Sequence, residues 1–159
     1  MRIVIAAALA VAQASSPSGQ ASPTPAATAT QDLGFAIPIA GSWTYSASAD
    51  GSEATFSNPQ GFAQLVVHCT RATRRVTIAK LAGAAAPSLS VWTSSLTRSM
   101  PPTFTPATAR LTIDLAPYDP LLDAMASSRG RIGVVVSGQA PLVVPAWAET
   151  ARVIEDCRA

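Results

Sequence analysis

The chain contains two cysteines, Cys69 and Cys157, and their placement constrains the fold more than any other feature. Gln64-Leu65-Val66-Val67-His68-Cys69-Thr70 reads as a buried strand. Arg71-Ala72-Thr73-Arg74 turns it, and Arg75-Val76-Thr77-Ile78 runs back. Cys157 falls near the C-terminus on a stretch of helical spacing. A bridge between the two would tie the end of the chain to the middle of a sheet. It would close a loop of about 90 residues, for which the chain-entropy model gives roughly 4–5 kcal/mol, comparable with the net stability of a small domain. Neither cysteine belongs to a CxxC pair of the kind that lowers a thiol pKa, so the expected bridge is structural rather than catalytic.

A disulfide needs an oxidising compartment, and the N-terminus agrees. Met1-Arg2 supplies a positive charge, Ile3 to Val11 is an apolar run of nine residues, and Ala12-Gln13-Ala14 is a small-x-small cleavage site. Residues 1–14 are therefore expected to be a signal peptide, since nine residues fall far short of the roughly 20 that cross a bilayer. After its removal no transmembrane segment is expected. No cysteine adjoins the cut, which argues against a lipid anchor. Residues 15–32, rich in Ser, Pro, Ala and Thr, bury too little to offset the entropy of ordering and are expected to form a disordered linker. A folded domain should occupy 33–159. Charged residues make up 13% of the chain, about half the usual quarter, and losing Arg2 leaves 10 basic against 9 acidic residues. That balance gives no reason to expect a nucleic-acid partner or strong membrane attraction.

Alternation dominates the rest. Trp43-Thr44-Tyr45-Ser46-Ala47-Ser48 precedes Asp50-Gly51, a hairpin signal. With Asp50 and Gly51 as the loop, Tyr45 stands opposite Phe56 and Ala47 opposite Ala54, so Trp43, Tyr45, Ala47, Ala54 and Phe56 share one face. Asn58-Pro59-Gln60-Gly61 makes a second turn. Further strands are expected over Leu89–Thr93, Leu111–Leu115, Arg131–Ser137 and Leu142–Val144, with Met100-Pro101-Pro102 and Pro106 marking a loop. Asp119-Pro120 reads as the N-cap and first residue of a helix carrying Leu121, Leu122 and Met125 and ended by Gly130. A last helix is expected from Pro145, with Trp147, Ala151, Ile154 and Cys157 on its apolar side. The fold class is mainly β: an antiparallel sandwich or open barrel of about seven to eight strands with two short helices near the C-terminus.

Several segments together resemble a group of uncharacterised exported proteins of alphaproteobacteria. They are Trp43-Thr44-Tyr45, Gln64 to Cys69 with Arg74-Arg75-Val76, Asp119 to Ala124, Ser128-Arg129-Gly130-Arg131, and Trp147 through Arg158. The resemblance covers most of the chain from Trp43 onwards and implies export without implying an activity. A strand ending in Cys, with another Cys near the C-terminus, is more distantly similar to invasion-associated locus B and type VI secretion-accessory proteins.

Chemistry-bearing residues are few. His68 is the one histidine, on a sheet face beside Val66 and in no triad signature, so packing is its simpler role and general-base catalysis the alternative. One His and two distant Cys make no metal cluster, and no cofactor is implied. Asp119 and Asp123 stand four apart and could act as a carboxylate pair, yet an N-cap and a first-turn acid account for both. Gly130-Arg131-Ile132-Gly133 has a GxxG form but leads into a strand. Trp92 is either an exposed recognition aromatic or a ring buried under a helix. Arg71, Arg74 and Arg75, with Lys80 nearby, cluster at one turn and could hold an anionic group or a partner, with Arg129 and Arg131 joining only if the fold brings them close. The expectation is a non-catalytic periplasmic or secreted, envelope-associated interaction domain that binds an envelope or extracellular partner through a sheet edge or the Arg71–Arg75 turn. The alternative is a small periplasmic hydrolase using His68 or Asp119 and Asp123.

Overall fold

The computed structural model describes residues 32–159; the expected leader and all of the expected linker but Asp32 lie outside the described residues. Ten strands form two antiparallel sheets. The first, β1 (Ser42–Ser48), β2 (Gly51–Ser57), β3 (Ala63–Thr70), β4 (Arg75–Leu81), β7 (Thr103–Thr105) and β8 (Arg110–Leu115), is ordered β1-β2-β3-β4-β8-β7. The second, β5 (Leu89–Trp92), β6 (Thr97–Met100), β9 (Arg131–Val136) and β10 (Leu142–Pro145), is ordered β10-β9-β5-β6. Two helices, α1 (Pro120–Ala126) and α2 (Ala148–Arg158), complete the fold, and neither sheet closes into a barrel. Only α2 is C-terminal; α1 precedes the last hairpin.

Period-2 alternation divides each strand between a buried and a polar side. Leu65, Val67 and Cys69 of β3 face the core, opposite Phe56, Ala54 and Ser52 of β2. Val76 and Ile78 of β4, and Leu111, Ile113 and Leu115 of β8, continue that side across the sheet. Leu89, Val91, Ile132, Val134, Val136, Leu142 and Val144 of the smaller sheet complete one core with Leu121, Leu122, Met125, Val153 and Ile154 of the helices. Cys69 and Cys157 are bonded, with Cα atoms 5.4 Å apart, and this fixes α2 on the core side of the larger sheet.

Four local expectations need correction. The first hairpin keeps its predicted faces, but its loop is Ala49-Asp50: Trp43 pairs with Phe56 and Tyr45 with Ala54. The shift is two residues, which leaves the side-chain period unchanged. Gly51 is required elsewhere: at φ +152° it lies so close to β3 that a Cβ would sit 1.8 Å from the Cys69 carbonyl oxygen. Second, the stretch from Met100 to Pro106 expected as a loop supplies β7, and Met100 at its start ends β6, a strand not expected. Both are edge strands, and Pro101-Pro102 falls between them where the chain passes from one sheet to the other, so no ladder bond is lost. Third, Asp119 caps α1 as expected by accepting from the Leu121 N–H at 2.8 Å, but the helix ends at Ala126 with Ser127 as its cap. Gly130, at φ +79°, belongs to the following turn. Fourth, α2 starts at Ala148, because Pro145 still pairs with Arg131 in the sheet. Its buried face is Thr150, Val153, Ile154 and Cys157, rotated from the predicted one, and Trp147 is left half exposed.

Two measurements test this account. Reduction of Cys69–Cys157 is expected to lower unfolding free energy by about 4 kcal/mol on the chain-entropy model, as seen in urea titrations with and without reductant. Gly51→Ala should destabilise by about 3 kcal/mol or more. Gly61→Ala, where a Cβ meets nothing within 4 Å, should cost only about 1 kcal/mol for its left-handed backbone.

Candidate functional site

The Arg71–Arg75 turn is the strongest candidate in the sequence; its three arginines are exposed, and each guanidinium donates to main-chain carbonyls of the same chain. Arg71 Nη1 donates to the Ala49 carbonyl (3.1 Å) and Arg75 Nη2 to the Asp114 carbonyl (3.0 Å). Arg74, at φ +50°, donates to the carbonyls of Cys157 (3.4 Å), Arg158 and Ala159 (3.2 Å). Arg74 therefore grips the carbonyl end of α2, where the helix dipole and the unpaired C=O groups favour a cation. Arg129 and Arg131 do not extend it: Arg131 Nη1 reaches the carbonyls of Leu33 and Ala36 at the other end of the chain.

Arg158, which carried no signal in the sequence beyond its charge, completes the clamp. It donates to the Pro117 carbonyl (2.8 Å), to Asp123 Oδ1 (2.6 Å) and to Glu155 Oε1 (3.1 Å). Burial opposes its charge, but the two carboxylates outweigh it and raise its pKa above the usual guanidinium value. Asp123 is thus an ion-pair partner of α2. Asp119 divides its oxygens between the α1 cap and Arg98 Nη2 at 2.9 Å. Burial works against its ionisation; the Arg98 and Leu121 N–H groups outweigh this and hold its carboxyl below the usual carboxylate range. The two aspartates serve different partners instead of converging on one point.

His68 lies on the polar side of the larger sheet. Pairing places Ser46, Glu53, His68, Thr77 and Asp114 in one row across five strands. Its Nδ1 is 3.6 Å from Glu53 Oε2. The neighbouring hydroxyl, Thr77 Oγ1, donates its proton to Asp114 Oδ1 at 2.6 Å. Among the described residues no group of three or more His, Cys, Asp or Glu could hold a metal ion, and no helix is long and apolar enough to cross a membrane. Lys80 is buried on the core side between Leu65 and Leu111, its ammonium bonded to the Leu81 carbonyl and to Gln139 Oε1, both at 3.0 Å. Burial pushes its pKa down. It therefore contributes nothing to the arginine turn.

Trp92 is half-buried on β5, paired with Gly133 of β9, where Leu33 of a strap of chain preceding β1 packs. Leu33 drops into the notch left by Gly133, where a Cβ would lie 2.2 Å from Leu33 Cδ1 and 3.3 Å from Trp92 Cβ. The strap then runs to the β10 edge, where the Ile39 N–H donates to the Val143 carbonyl at 2.8 Å.

The sheet edges separate most clearly. β7 has three residues, preceded by Pro101-Pro102 and followed by Pro106. β6 has four, carries Arg98 and stops at Pro101. β10 has four, follows Pro141, ends on Pro145, and is met by the strap. β1 has seven, Ser-Trp-Thr-Tyr-Ser-Ala-Ser, with no proline and no charge. Among the described residues its backbone pairs with β2 alone. Short length, proline, charge and cover are the devices that keep edges from pairing with other chains, and β1 has none of them. Its core side is held rigidly: Trp43 Nε1 donates to the Pro145 carbonyl (2.8 Å), the Tyr45 hydroxyl donates to Asp156 Oδ2 (2.7 Å), and Arg152 stacks 3.9 Å from the Tyr45 ring centroid.

The Tyr45 bond holds the Asp156 carboxyl below the usual carboxylate range against the opposing effect of burial. A depressed carboxylate stabilises the fold above its unfolded pKa, near 3.8, and that contribution is lost as pH falls through the folded value. Tyr45→Phe keeps the ring under Arg152 and removes only the hydroxyl. It is expected to cost about 1 kcal/mol at neutral pH, a charge-assisted hydrogen bond discounted for exposure. In urea titrations the gap between wild type and variant should begin to close as pH falls below 3.8 and vanish only below the lower folded value.

Comparison of the chain with protein-family models, with curated proteins and with solved structures returns no match.

Proposed function

We propose that this chain is a non-catalytic interaction domain of the periplasm or extracellular space, and that it binds an extended polypeptide by strand addition along β1. The carrying observation is the contrast among the four edges: three are shortened, proline-flanked or covered, while seven uncharged residues of β1 stand open. An edge strand supplies main-chain donors and acceptors for affinity, and the side chains that alternate along it supply selectivity. The Cys69–Cys157 bond supports an oxidising compartment. The arginine turn is the weaker of the two expected surfaces, because Arg71, Arg74 and Arg75 already donate to main-chain carbonyls. The hydrolase alternative draws no support from the geometry around His68, whose nearest hydroxyl neighbour across β4 is bonded to Asp114.

Capture from envelope extract tests the assignment with three forms of the chain. Thr44→Lys/Ser46→Lys, two exposed positions on the polar side of β1, should abolish the captured set by charging the edge. Arg75→Ala, at an exposed position, should leave it intact. Loss of capture on Arg75→Ala with retention in the β1 variant would move the site to the turn.

A further inference from the structure

We infer that the strand added to β1 is β1 of a second copy, giving a two-fold dimer whose larger sheets join into one; this rests on the assignment of β1 as the contact edge. Register follows from geometry alone. Two antiparallel copies of Ser42–Ser48 overlap along their whole length only when Tyr45 sits opposite Tyr45 of the second copy. Trp43 then faces Ala47, Thr44 faces Ser46, and Ser42 faces Ser48. Each pair joins residues of equal parity, so core-side residues meet core-side residues and polar-side residues meet polar-side residues. A register displaced by one residue would break that match.

The side chains suit this pairing. On the core side the Trp43 indole is already buried against Phe56 of its own chain, so the residue opposite it need only be as small as Ala47, and the two half-buried tyrosines stand opposite each other at the axis. On the polar side only hydroxyl-bearing side chains meet, so the joined surface is level. No charge on β1 is brought against its own copy. At the axis each copy contributes the same group, Arg152 stacked on Tyr45 with Asp156 bonded to its hydroxyl, one positive and one negative charge apiece. Each group is neutral as a whole, so bringing two together adds no net charge at the axis. An unrelated peptide would need none of this reciprocity between positions 43 and 47 or 44 and 46.

Sedimentation of the exported, disulfide-bonded chain tests the inference. The wild type should be a dimer. Thr44→Lys/Ser46→Lys sets like charges opposite each other twice and should weaken the dimer about tenfold or more. Thr44→Lys/Ser46→Asp sets opposite charges at the same positions and should restore it. Hydrogen exchange on the unmodified chain provides a readout without substitution: protection of the β1 amides should rise with protein concentration. Protection independent of concentration, or a dimer indifferent to Thr44→Lys/Ser46→Lys, overturns the inference. If the wild type is a monomer while the lysine variant still loses envelope capture, the second copy is excluded and the β1 assignment stands. A monomer whose capture is also unchanged by that variant removes both.

Discussion

The bond between Cys69 and Cys157 spans 88 residues and joins the third strand to the last turn of the last helix. Much of the larger sheet's core side depends on that link. An 11-residue helix is short of the length at which helices hold their structure alone, so α2 persists by docking. The bridge supplies one fixed point. Arg74 supplies a second by gathering the last carbonyls, and Arg158 a third by reaching α1 through Asp123. Tyr45 and Trp43 hold the β1 flank. These polar contacts surround Val153 and Ile154, which fill the core. Of the three arginines that look like a binding site in the sequence, Arg74 serves the helix end, while Arg71 and Arg75 tie the turn to the Ala49 and Asp114 carbonyls.

Sheet edges are handled locally throughout. A chain with 13% charged residues has little net repulsion to keep copies apart, so each edge must be blocked by its own sequence. The prolines at 101, 102, 106, 141 and 145 all flank or end edge strands. They interrupt hydrogen bonding only at positions where no neighbouring strand asks for it. The strap does the same for β10 by satisfying the Val143 carbonyl and seating Leu33 over Gly133. Against that background the composition of β1, all small hydroxyls, alanine and two aromatics, is the deviation among the four edges.

The sequence disclosed whatever depends on local period or a unique residue pair. The faces of β1, β2 and β3, the cap at Asp119 and the pairing of Cys69 with Cys157 were legible because alternation, capping chemistry and a count of two cysteines each admit one simple answer. What was lost depended on contacts far apart in the chain. The hairpin register slipped by two because Asp50-Gly51 is a strong turn signal, and only the approach of β3 reveals why Gly51 is there. β6 and β7 were hidden because proline argues against central strands and is silent about edges. The face of α2 was rotated because Trp147, the largest apolar residue nearby, is the N-cap and stands outside the helical period. Edge exposure itself cannot be read until strand order is known. The open strand was visible as a strand from the start, but not as an edge.

Strand order also limits what the polar side of the larger sheet can do. Ser46, Glu53, His68, Thr77 and Asp114 form a row of groups that occur in catalytic triads, but the sheet holds neighbours in that row at the fixed spacing of adjacent strands. Thr77 resolves its own hydrogen bond with Asp114, and Glu53 already accepts from Thr55 at 2.8 Å. A nucleophile activated by His68 would have to break one of these bonds on an open face that does not exclude water, conditions that weaken electrostatic catalysis. The same openness is an advantage for strand addition: a level, hydroxyl-rich surface lets the sheet continue past β1 without a bulky side chain obstructing the incoming chain. An open edge at β1 and a water-exposed polar face thus follow from one architecture.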